Sequence, residues 1–103
     1  MSIVVDALFG TEWADKRKWP FKQSCHLTSD IPGPEGEAEL RAFARRVSLK
    51  PEWIQQPGTW GVHFDCTPGV RAKAVRFGAK QVTAVEMACI MRDKMRAMKT
   101  VTA

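Results

Sequence analysis

The chemistry-bearing residues of this chain are few and can be named. It has two histidines, His26 in "SCHLTS" and His63 in "VHFDC". His63 and Asp65 stand two apart, so in an extended segment they face the same side. A histidine and a carboxylate on one face can hold a metal, or orient one another for acid–base work. Arg71 follows in "TPGVR", on the first turn of a predicted helix. That turn carries backbone N–H groups without intrahelical partners, which suits an anion. Asp6 falls near the carboxyl end of an apolar first strand, the position beyond which open parallel sheets bind ligands. Each residue also has a structural reading: Asp6 as a loop cap or ion-pair partner, His26 as a satisfied strand histidine, His63–Asp65 as an ordinary hydrogen bond. The functional expectation is one anion pocket, with Asp6 and His26 as one half and His63, Asp65 and Arg71 as the other.

The elements that must position these groups follow from apolar spacing and turn signals. "SIVVDAL" is short and β-branched, a strand buried on both faces. "TEWADKRKWPFKQ" has no period and reads as a loop or lid over the sheet. Residues 24–28 are a second strand, followed by the turn cluster "DIPGPEG". Leu40, Phe43, Ala44 and Val47 share one face of a helix over 35–47. "LKPEWIQQPGTWG" is irregular, and "VHFDC" alternates like a short strand. Thr67 and Pro68 start a helix that Gly78 stops. "KQVTA" is a short strand or connector. Thr83 with Glu86 forms a capping box for a last helix over about 84–99. The order β, loop, β, α, loop, β, α, β, α predicts a small single-domain α/β layer fold over 1–103. Its sheet is expected to be short and mostly parallel, with about three helices.

Composition limits the partners. The net charge is +5 and the apolar fraction 45% over 103 residues, enough for one core and favourable to anionic partners such as nucleotides or nucleic acid. No apolar run reaches the ~20 residues of a membrane helix, so no membrane is expected. "MSIVVDALFG" lacks a basic n-region and a small-residue cleavage site and reads as a strand. Cys25, Cys66 and Cys89 are odd in number and have no CxxC spacing, which points to reduced thiols and a cytoplasmic setting. Met87, Met91, Met95 and Met98 make a stripe on the last helix that suits core packing or a homodimer contact. Trp13, Trp19, Trp53 and Trp60 all fall in irregular segments, where they close the core or stack on bases.

"VDAL", "CHLTSD", "ELRAFARRVSL", "PEWIQ", "HFD" and "RAKAVRFGA" occur in an order that resembles the DUF4031 family. These are small bacterial and phage proteins without an assigned activity. The resemblance covers about residues 2–83. It departs from the family pattern where Ala7 replaces the second aspartate of V-D-D, Arg41 replaces the helix histidine, and Phe64 stands between His63 and Asp65. It implies no catalytic residue and no cofactor. A phage member would act in the host cytoplasm.

Three function classes follow. The first is a binding module for a phosphorylated small molecule, nucleotide or nucleic acid, a phage counter-defence protein among its forms, using Asp6, His26, His63, Asp65 and Arg71 with no metal. The second is a metal-assisted hydrolase or nuclease with Asp6, His63 and Asp65 as ligands. The third is a protein-interaction inhibitor or adaptor. A two-metal phosphodiesterase gathers several acidic ligands, and only Asp6 and Asp65 are well placed, so the residues favour binding. The chain has no P-loop, GxGxxG, HExxH or GxSxG motif.

Overall fold

The computed structural model describes the backbone of residues 2–102 and the side chains of 2–99. The elements run β1 (Ile3–Val5), β2 (Phe9–Gly10), β3 (Gln23–Ser29), α1 (Gly33–Arg46), a 3₁₀ turn (Pro51–Trp53), β4 (Phe64–Cys66), α2 (Pro68–Arg76), β5 (Lys80–Gln81) and α3 (Ala84–Thr102). The fold is α/β, with three helices on a five-stranded sheet.

The sheet is mixed, which corrects the expectation of a mostly parallel one. β1, β2 and β4 each pair β3 antiparallel, and the β1–β5 pair is parallel. The reason is the length and place of the connections. The segment after β1 returns without a helix, so β3 runs back beside it. Helices α1 and α2 then lead to β4 and β5 at different sites on the sheet.

β1 is buried on both faces, as its run of β-branched residues requires. Ile3 and Val5 join Cys25 and Leu27 in a core with Leu40, Phe43 and Ala44 of α1 and Ala74 of α2. Val4 points the other way and packs with Val82 and Met87, flanked by Ile90 and Met91 of α3. The molecule therefore has three layers: α1 and α2, the sheet, and α3. Lys94 of α3 is buried and tethers the third layer. Its Nζ donates to the Ser29 carbonyl at 2.8 Å and to Thr28 Oγ1 at 3.2 Å. Burial pushes its ammonium below the usual lysine range, partly offset by Asp30.

Local signals place the helices. Thr67 Oγ1 accepts the Val70 N–H at 3.2 Å and so caps α2. Thr83 Oγ1 accepts from Glu86 N–H, and Glu86 Oε1 accepts from Thr83 N–H, closing the capping box of α3. Gly78, just past α2, has φ 109°, a conformation glycine adopts without steric cost. Helix α1 begins at Gly33 and carries Pro34 in its first turn. No helix among the described residues is long and apolar enough to cross a membrane.

Candidate functional site

The site is built on β3 and its neighbours, on the face that α3 covers only in part. A strand alternates its side chains, so Cys25 and Leu27 enter the α1–α2 core and His26 turns to the other face. The register sets Asp65 of β4 directly opposite His26. His63, two residues before Asp65, is bridged to Gln55 and lies on the same face. The His26 and His63 rings meet edge to face, 5.2 Å between centroids. Phe9 stacks on His26 at 5.1 Å between centroids.

Asp6 reaches the site through a break in the ladder. Val5 pairs Leu27, so an unbroken register would set Leu8 opposite Ser24; Phe9 stands there instead. One extra residue is thus inserted between β1 and β2, the mark of a β-bulge, which re-aims side chains. Asp6 N–H donates to the His26 carbonyl at 3.2 Å, as a ladder residue would. The reciprocal bond is replaced: the His26 N–H goes to Asp6 Oδ1 at 2.6 Å. Asp6 Oδ2 lies 2.8 Å from His26 Nδ1. The freed Asp6 carbonyl accepts Arg71 Nε at 2.8 Å.

These bonds set the tautomers. A carboxylate can only accept, so Nδ1 of His26 carries a proton. His63 Nδ1 is 2.8 Å from the Gly61 carbonyl, which also only accepts. His63 Nε2 then points at Asp65 Oδ1, 3.3 Å away. Burial pulls the His63 pKa down. The Asp65 carboxylate and the Gly61 carbonyl outweigh that pull and hold it above the ordinary value. One ligand atom each from His26, His63 and Asp65 can lie within 4.8 Å of the other two.

That is a donor set that could hold a metal ion. Two neutral imidazoles and a carboxylate suit first-row divalent ions, and tetrahedral bonds of ~2.0–2.1 Å separate neighbouring ligand atoms by about 3.3 Å. Each histidine has its Nδ1–H held by a fixed acceptor, the carboxylate of Asp6 or the carbonyl of Gly61, which orients Nε2 for a metal. Electrostatics agree. Asp6 and Asp65 bring two carboxylates, while the Arg71 guanidinium is spent on the Asp6 carbonyl and on Gln81 Oε1 at 3.4 Å.

The five residues named from the sequence therefore form one connected network but not one pocket wall. His26 and Asp65 line a cavity of about 520 Å³ with Phe9, Trp13, Lys18 and Trp19. His26 and His63 line a smaller one, about 210 Å³, with Trp60, Met87 and Met91. Asp6 is 5% exposed and acts through His26; Arg71 stands behind Asp6 and lines neither cavity. The expected metal set was Asp6, His63 and Asp65; the group close enough to hold one is His26, His63 and Asp65. Sequence spacing missed Gln55 and Lys18 as cavity residues. Gln55 carries a faint signal in "PEWIQ", whereas Lys18 is one of several charges in its loop.

No curated protein and no solved structure matches this chain. A family model does, over residues 13–94, which takes in β3, the site strands and most of α3 but begins after Asp6. The chain belongs to the DUF4031 family, a protein family of unknown function.

Proposed function

We propose that this protein binds a small phosphorylated ligand, a nucleotide or a piece of nucleic acid, through a divalent metal held by His26, His63 and Asp65. The observation that carries the reading is the pair of imidazoles whose Nδ1 atoms lie on Asp6 and Gly61 and which, with Asp65, bring one ligand atom each within 4.8 Å of one another. Three protein ligands leave coordination positions for a ligand oxygen. The cavity in front of His26 and Asp65 offers tryptophan faces and Lys18 to the rest of the ligand. Arg71 supports the site by holding the Asp6 backbone.

A second reading, a metal-assisted hydrolase or nuclease, draws on the same three residues, since a metal held by them would supply an activated water near neutral pH. The buried thiols of Cys25 and Cys66 fit a reducing cytoplasm, the host's for a phage-encoded copy. A homodimer through the methionine stripe of α3 belongs to the same proposal.

Calorimetric titration with zinc and with manganese tests it. The parent should bind one ion per chain. His26→Ala and Asp65→Ala should abolish binding, and Asp6→Ala should weaken it by ~10–100-fold, the range for loss of an outer-shell partner. A folded parent that binds neither ion would refute the reading. Release of nitrophenol from bis(nitrophenyl) phosphate by the metal-loaded parent, lost in His63→Ala, would establish hydrolysis.

A further inference from the structure

The cavity in front of His26 and Asp65 has a twin. A second cavity of about 490 Å³ lies beside it, and Lys18, Trp19, Gln55 and Asp65 line both. Each volume falls in the roughly 300–1,000 Å³ range of small-molecule sites. From the shared wall, one cavity runs to Trp13 and His26, and the other to Phe21 and Trp53. Trp13 is 77% exposed and Trp53 50%, so both indoles keep much of their surface open.

Both charged side chains of the second cavity, Asp65 and Lys18, stand on the shared wall. Asp65 is a metal donor in the proposed site, and Lys18 is a cation at the same boundary. An anionic group that bridges two planar groups would be held here by the metal and Lys18, while the planar groups diverge into the two cavities. Aromatic faces of this kind stack on bases with little regard to sequence. A ligand with one ring would leave the second cavity empty.

We infer that the ligand is a dinucleotide unit, its bridging phosphodiester at the Asp65–Lys18 wall and its two bases in the two cavities against Trp13 and Trp53. This rests on the metal reading proposed above and specifies its ligand. The same chemistry is offered by a free dinucleotide and by a segment of single strand.

The experiment compares thymidine monophosphate, thymidylyl-thymidine and a longer oligothymidylate on zinc-loaded protein, after zinc binding has been measured alone. The dinucleotide should bind at least about tenfold tighter than the mononucleotide. Trp13→Ala and Trp53→Ala should each cost about five- to hundredfold in dinucleotide affinity, the span expected for one stacked base. Trp13→Phe and Trp53→Phe should retain most of it, which separates stacking from misfolding. An oligomer that binds no tighter per site than the dinucleotide identifies the free compound as the ligand; a much tighter oligomer identifies a strand. Zinc bound normally with equal affinity for mono- and dinucleotide, or Trp53→Ala without effect, overturns the inference and leaves the metal site standing. Failure to bind zinc overturns the metal reading and this inference with it.

Discussion

Asp6 does at the residue scale what a ladder carbonyl does elsewhere. Its carboxylate takes both the backbone N–H and the ring N–H of His26, and its own carbonyl passes to Arg71. His63 is tuned by its neighbours in a way that can be measured. Burial lowers its pKa, and the hydrogen bond and charge of Asp65 with the Gly61 carbonyl raise it further than burial lowers it. The folded value thus lies above the unfolded one, about 6.5. A raised folded pKa contributes stability that is fully present below the unfolded value and is lost as pH rises through the folded one. Asp65→Asn should therefore bring the His63 pKa down in an NMR titration of the imidazole protons. In metal-free protein the variant's stability deficit should be largest below pH ~6.5, of the order of 1.5–3 kcal/mol for a hydrogen bond to a charged group, and should shrink at higher pH. An unshifted His63 titration would refute the assignment of Asp65 as the cause.

The elements were legible wherever a local signal settles them. The caps at Thr67 and at Thr83–Glu86 form as their spacing predicts, because a cap involves residues within one turn. Helix α2 spans Pro68–Arg76 and α3 starts at Ala84, close to the expected bounds. β2 was not legible: two residues carry no period, and their pairing is decided by β3. Gly36 makes an element-scale test. It is buried in α1, and a Cβ added there would lie 1.8 Å from the Ile31 carbonyl oxygen. Alanine is the better helix former by roughly 0.5–1 kcal/mol. The clash is with backbone, which cannot swing away, so overpacking wins and Gly36→Ala should destabilise by about 1–3 kcal/mol. Chemical denaturation checks the sign, and a stabilised variant would show that α1 packs differently.

At the scale of the whole molecule, α3 covers one face of the sheet, and that changes what the methionine stripe is for. Met87 is buried on Val4 and Val82, and Met91 packs beside it. Both also wall the small cavity behind His26 and His63. The stripe is thus partly consumed within one chain, and Met95 is half-buried. Light scattering at high concentration should give twice the 11.6 kDa chain mass if the stripe meets a second copy. A mass of one chain would end the dimer proposal without touching the metal site.

The sequence by itself determined the α/β class, the three helices and the doubly buried first strand, because apolar period and capping chemistry are local. It also placed His63 and Asp65 on one face, since a strand alternates. Only the tertiary structure decided the strand directions, which depend on how each connection crosses the sheet. Only it decided that His26, distant in sequence, pairs across from Asp65 and completes the donor set, while the bulge sends the Asp6 carboxylate to hold His26 and leaves Arg71 behind. Register is a relation between strands, and a one-residue insertion moves a side chain from one partner to another.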